Sequence, residues 1–187
     1  MSGHDIASTL MMVLARAIIK SEARSQSSPR EILRRMNEDL YPEFSKSELF
    51  LTGFLLDIDG KSGRLRYANA GHPPPILLRR GEPRERHEGL AAEGLPVGIL
   101  PAYTFEEKEK VLGPGDVLVL YTDGITEARS VKKKLFGEKR LASTASQALE
   151  GSAQEIAKAI DAAVRRYRDP DPEADQDDHA VVVIKKT

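Results

Sequence analysis

The spacing of apolar and polar positions changes three times along the chain and divides it into helical and extended stretches. Ile6, Leu10, Val13 and Ala17 recur at helical spacing, and Leu14 and Ile18 widen that stripe, so the chain opens on a predicted helix. Polar residues from Ser21 to Ser28 end it. Ser28-Pro29-Arg30-Glu31 then has the form of a capping box with proline at the first helical position. Ile32, Leu33, Met36, Leu40 and Phe44 supply the apolar face of this second helix. Two helices joined by a short polar loop predict an antiparallel pair.

From Glu48 the period shortens. Leu49 to Ile58 is rich in β-formers, residues 59 to 63 form a turn, and Arg64 to Ala70 alternates, which predicts a hairpin. Gly71-His72-Pro73-Pro74-Pro75 breaks it, in a setting where His72 suits a turn hydrogen bond, and Ile76-Leu77-Leu78 resumes a short strand. Residues 81 to 103 read as loop with short strand pieces. A strand over Tyr103 to Val111 and the turn Gly113-Pro114-Gly115 lead to Val117-Leu118-Val119-Leu120. That run has no alternation, so both of its faces should be buried.

After Glu127 the helical period returns. A helix from about Gly137 carries Leu141, Ala145, Ala148 and Leu149. Ser152-Ala153-Gln154-Glu155 is a second capping box, opening a helix with Ile156, Ile160, Ala163, Val164 and Tyr167 on one face. An acidic loop follows. Its acids at 169, 171, 173 and 175 alternate as in a calcium loop, but Pro170 and Pro172 interrupt them, so a solvated loop is expected. Ala180 to Ile184 forms a last strand. Helices segregated from antiparallel strands define an α+β fold with helices outside the sheets, in a single domain over residues 1–187.

One carboxylate stands out in that pattern. Asp123 ends the unbroken apolar strand and is followed at once by Gly124. A carboxylate there is costly unless a positive group meets it. Asp177 and Asp178 precede the last strand, and antiparallel pairing of the two strands would bring them to one rim with Asp123. Oxygen ligands in that arrangement suit a hard divalent cation, although Asp123 alone could equally cap its turn.

Composition narrows the function classes. The 187 residues carry 40% hydrophobic and 30% charged positions, ordinary for a globular protein. Net charge is −1, so no overall field argues for nucleic acid or an anionic membrane. Cysteine is absent, which excludes disulfides and thiolate metal sites and fits a reducing, cytoplasmic setting. No apolar run reaches the roughly 20 residues of a membrane span.

Four blocks then carry a family resemblance. They are Ser2-Gly3-His4-Asp5-Ile6-Ala7, Tyr67-Ala-Asn-Ala-Gly-His72-Pro73-Pro74, the long block from Gly113 through Asp123-Gly124 to Glu127, and Asp177-Asp178-His179-Ala180-Val181. Phe136 to Leu141 matches a further segment. In this order they resemble the bacterial SpoIIE/RsbU-type branch of the metal-dependent serine/threonine protein phosphatases, the PPM family. The resemblance implies an antiparallel β-sandwich flanked by helix pairs, in α-β-β-α layers. It also implies two Mn²⁺ or Mg²⁺ ions that activate a water toward phosphoserine or phosphothreonine. By the same resemblance Asp123 and Asp177 bind one metal directly, Asp178 is a neighbouring or alternative ligand, and His4 lies beside the metals as an acid or phosphate contact. The implied substrate is a phosphorylated STAS-domain anti-sigma-factor antagonist in a partner-switching pathway. An upstream sensor or regulatory domain is the other implied partner.

The chain also departs from the family pattern. The aspartate that bridges the metals in the family would fall before Met1, and an earlier acidic block on the first strands is missing. The backbone carbonyl normally offered to the second metal falls to Met1. His179-Ala180 stands where the family commonly has an apolar residue and threonine. These departures predict weak metal affinity and little hydrolysis from this polypeptide alone. The gap has three readings: an internal start within a longer protein, a degenerate pseudophosphatase kept as a protein-binding module, or a sheet completed by a partner strand, even from a second copy in a homodimer. The intact remaining motifs favour the first.

Overall fold

The computed structural model describes residues 6–83, 86–170 and 179–187, which fold as two compact units. Of the described residues, the first takes in 6–72 and 91–111, and the second 73–83, 86–90, 112–170 and 179–187.

In the first unit, helices α1 (Ile6–Arg24) and α2 (Pro29–Ser47) lie with a three-stranded antiparallel sheet. Its strands are β1 (Gly53–Ile58), β2 (Arg64–Ala70) and β5 (Glu107–Val111), in the order β1-β2-β5. The hairpin expected over 49–70 is present, with Gly53 opposite Ala70 and Ile58 opposite Leu65. Its turn is held by Asp59, whose carboxylate accepts the backbone N–H groups of Lys61 and Ser62 at 2.8 and 2.9 Å. The strand expected from Tyr103 starts only at Glu107.

Leu33, Met36, Leu40 and Phe44 of α2 close the core over Ala68, Ala70, Val97 and Phe105, as the apolar face of the second helix predicts. The buried amide of Asn37 ties that core to a loop, donating to the Leu100 carbonyl at 2.8 Å and accepting from Gly98 N–H at 2.9 Å. The N-terminus of α2 differs from the expected capping box in one half. Ser28 accepts the Glu31 N–H at 3.4 Å, but the Glu31 carboxylate turns outward to Arg34 and Arg35. Two guanidiniums outbid one backbone N–H for the same oxygens.

Helix α1 departs further from its expected stripe. Leu10, Val13 and Leu14 are exposed, whereas Met11, Ala15, Ile18 and Ile19 face the core. Residues 10 to 14 are all apolar, so the period by itself could not select a face.

The second unit holds the remaining strands in one antiparallel sheet, ordered β4-β3-β6-β7. These are β3 (Ile76–Leu78), β4 (Glu88–Gly89), β6 (Val117–Tyr121) and β7 (Val181–Lys185). Val117, Leu118 and Val119 are fully buried, as an unalternating strand requires. Helices α4 (Gly137–Gln147) and α5 (Ala153–Tyr167) pack their apolar faces on this sheet, with Leu141, Ala145, Ile156, Ile160 and Val164 all at 0% exposure. Here the capping box is complete: Ser152 Oγ accepts from Glu155 N–H at 3.2 Å, and the Glu155 carboxylate accepts from Ser152 N–H at 2.7 Å.

Candidate functional site

Strand β6 has one neighbour on each side, β3 and β7, and its aliphatic run fixes its position in the sheet. In the register with β7, Tyr121 lies opposite Val181. One residue further on, the ladder ends in an exchange between Thr122 and Ala180. Thr122 N–H donates to the Ala180 carbonyl at 3.1 Å, and Ala180 N–H donates to Thr122 Oγ1 at 2.9 Å. The hydroxyl takes over where the strand backbone turns away. Thr122 is extended (φ −86°, ψ 158°), and the single helical turn α3 (Asp123–Thr126) begins directly after it. Its carbonyls and N–H groups close on themselves, with Ile125 N–H on the Thr122 carbonyl at 3.0 Å and Glu127 N–H on the Asp123 carbonyl at 2.8 Å.

This geometry sets Asp123 at the rim with its carboxylate exposed. Oδ1 accepts the Gly124 N–H at 2.9 Å, and the other oxygen has no partner among the described residues. The expected burial cost is therefore not incurred, because water reaches the charge. The antiparallel pairing inferred between the two strands is present, with Ala180 bonded to Thr122, the residue before Asp123. Asp177 and Asp178 lie outside the described residues, as do Met1 and His4. Among the described residues, no group of three or more His, Asp or Glu side chains converges on one point. What the described residues offer a hard cation is one exposed carboxylate with a free oxygen, a donor set of the right chemistry.

The rim is braced from α5 and the residues that follow it. Arg168 Nη2 donates to the Gly124 carbonyl at 3.1 Å, and Asp169 N–H donates to the Arg129 carbonyl at 2.8 Å. On the other side, His179 Nε2 lies 2.8 Å from Asp161 Oδ1, and Arg165 Nε donates to Asp161 Oδ2 at 2.8 Å. Hydrogen bonding to His179, and then to Arg165, holds the Asp161 carboxyl below the usual carboxylate range.

Among the described residues the buried carboxylate is Asp116, at the other end of β6, with 5% exposure. Its oxygens accept from Arg79 Nη1 at 2.6 Å, Gly113 N–H at 2.8 Å and Arg80 N–H at 3.0 Å. Burial pushes this carboxyl up, but the Arg80 N–H, the Arg79 guanidinium and the Gly113 N–H together outweigh it and leave it below its ordinary value. The turn ahead of it needs glycine: Gly115 has φ +86°, and a Cβ there would lie 2.2 Å from Arg80 Cδ.

Sequence reasoning passed over Asp116, Thr122, Arg168 and the His179–Asp161 pair. Only Asp116 left a readable signal, a lone acid between Gly-Pro-Gly and an apolar run, with two arginines after the facing strand. His72 makes the expected turn through its backbone. Its N–H donates to Asn69 Oδ1 at 2.8 Å and its carbonyl accepts from Asn69 Nδ2 at 2.9 Å.

Antiparallel sheets with helices packed on them are shared with a known class. The SiaA-PP2C domain of Pseudomonas aeruginosa matches with a TM-score of 0.78 at 24% identity, over 100% of this chain and 72% of that one. The fold is therefore that of PP2C-type phosphatase domains. The family model for stage II sporulation protein E (SpoIIE) matches residues 1–187, and the chain belongs to the SpoIIE family. Protein IcfG of Synechocystis sp. (strain ATCC 27184 / PCC 6803 / Kazusa) is 38% identical over 112 residues, which is 60% of this chain and 17% of that protein. The phosphoserine phosphatase RsbU of Bacillus subtilis (strain 168) is 25% identical over 184 residues, 98% of this chain and 53% of RsbU. The chain thus spans about half or less of the length of these curated relatives.

Proposed function

We propose that residues 1–187 act as a single catalytic domain of a cytoplasmic, metal-dependent phosphoprotein phosphatase that hydrolyses phosphoserine or phosphothreonine. The substrate proposed is a phosphorylated STAS-domain anti-sigma-factor antagonist, consistent with the phosphoserine phosphatase RsbU among the relatives. The observation that carries this reading is the Thr122–Ala180 exchange, after which β6 ends and Asp123 stands exposed.

In this reading Asp123 and Asp177 hold Mn²⁺ or Mg²⁺, Asp178 is the neighbouring or alternative ligand, and the Met1 carbonyl and His4 border the same site. When bound, the ions lower the pKa of a water and neutralise phosphate charge. The chain's own residues supply position. Thr122 fixes where the strand ends, Gly124 N–H orients one Asp123 oxygen and leaves the other open, and Arg168 pins the Gly124 carbonyl behind it. Water adds to phosphorus in line, the seryl oxygen departs and is protonated, and inorganic phosphate and the unphosphorylated seryl side chain of the substrate protein result.

The test is Mn²⁺-dependent phosphate release from a phosphoserine STAS protein. The enzyme should carry whatever its gene encodes upstream of Ser2, where the resemblance puts the bridging aspartate. Asp123→Asn should abolish release while leaving the thermal transition in place. No release from the unsubstituted protein, together with retained affinity for the phosphoprotein, would instead identify a binding module.

A further inference from the structure

The outer face of α5 carries an ordered polar stripe that the proposed hydrolysis does not use. Gln154, Lys158, Asp161, Arg165 and Arg168 follow one another at intervals of four, three, four and three, which places them along one side of a helix. The opposite side is the buried one, with Ile156, Ile160 and Val164. This stripe forms one wall of an open groove of about 600 Å³, and His179 and Val181 form part of its other side.

The charge in the groove is lopsided. Among its described lining residues Asp161 is the one acid, and both of its oxygens are taken, by His179 and by Arg165. The cations are Lys158, which is exposed, Arg165, 70% exposed at its side chain, and Arg168. Arg168 also bonds the carbonyl of Gly124, the residue after Asp123, which ties this end of the groove's lining to the rim. From there it runs back along α5 to Lys158. Lys158 and Arg168 stand ten positions apart along α5 and its C-cap, a rise of about 15 Å, which about four or five residues of extended chain would span.

We propose that this groove docks an acidic segment of the phosphoprotein substrate, flanking the phosphorylated residue, with Arg165 and Lys158 meeting carboxylates progressively further from it. The proposal rests on the phosphatase reading for the place of the phosphate, but docking itself needs no turnover. A peptide is favoured over a nucleic acid because the groove offers no Phe, Tyr or Trp for bases to stack on, and the chain as a whole carries a net charge of −1.

The experiment is a fluorescence-anisotropy titration of the whole protein with labelled phosphoserine peptides. One peptide carries Asp and Glu on both flanks of the phosphoserine, and its twin carries Asn and Gln in their place. The acidic peptide should bind at least about ten-fold more tightly at low salt, and the advantage should shrink as ionic strength rises. Lys158→Glu should bring the ratio of the two affinities close to one, and Lys158→Gln should lower it part way. Lys61→Glu, which makes the same charge change in the turn between β1 and β2, should leave the ratio intact. Equal binding of the two peptides, no measurable binding of either, or an unchanged ratio in Lys158→Glu would overturn the proposal. Displacement of the acidic peptide by an equimolar single-stranded oligonucleotide would overturn the choice of a peptide. Lack of Mn²⁺-dependent hydrolysis of either peptide would strike the phosphatase reading and leave the affinity ratio standing.

Discussion

Helices α1 and α5 are both rich in apolar residues, yet they use them in opposite ways. On α5, Ile156, Ile160 and Val164 are 0% exposed, and every position between them that would spoil the stripe is polar or small. On α1, Leu10, Met12, Val13 and Leu14 are 57%, 56%, 60% and 47% exposed, and only Ala15 among the described residues is buried. The difference is one of pattern rather than of apolar content. A helix with polar residues confined to one side has a single rotation that buries its stripe. A helix apolar all round at one turn has several, and on α1 the rotation that is occupied sets small Ala15 against the core. What remains on α1 is an exposed apolar face of the kind that marks an interaction surface.

The contrast makes graded predictions, each measurable by urea unfolding of the purified protein. Ile160→Ala should have the largest effect, a loss of about 2–5 kcal/mol, because the cavity it leaves is walled by sheet and helix. Asp116→Asn should follow at about 2–3 kcal/mol. It breaks a buried carboxylate away from Arg79, and the figure sits below that for a wholly buried pair because Arg79 is 30% exposed. The pH dependence has a definite sign. The Asp116 carboxyl lies below its ordinary value in the folded protein, so its contribution is fully present above the unfolded carboxylate pKa of about 4. It is lost as pH falls through the lower folded value, and the gap between wild type and Asp116→Asn should close over that acid range.

Ser152→Ala should cost about 1 kcal/mol, since α5 has both halves of its capping box. Ser28→Ala on α2 should cost less, about 0.5 kcal/mol, because its single cap bond is long at 3.4 Å. The smallest effect should come from α1. Val13→Ser should change stability by less than about 0.5 kcal/mol. A loss as large as that of Ile160→Ala would show that α1 is covered in solution and would break the comparison.

The same contrast explains what could be read before the structure. The hairpin, the buried β6, the α5 stripe and its cap were legible because each is fixed by neighbours within a few residues in sequence. Asp123 was legible for a different reason: an acid that ends an unalternating apolar strand is conspicuous, and the block around it resembles one family. Asn37 and Asp116 were not legible, because their meaning lies in partners far along the chain, Gly98 and Leu100 for the one, Arg79 and Arg80 for the other. Nor could spacing foretell that the Glu31 carboxylate would prefer two arginines to the backbone of its own helix start.

The most direct test of the site at the end of β6 is an NMR titration of the protein with Mn²⁺, which broadens amide signals near wherever the ion binds. If Asp123 holds the cation, the amides of Gly124 and Ala180 should broaden first in the wild-type protein, and Asp123→Asn should leave them sharp at the same Mn²⁺ concentration with its other signals unmoved. Broadening centred elsewhere, or unchanged at Gly124 and Ala180 in Asp123→Asn, would contradict a metal site at this rim.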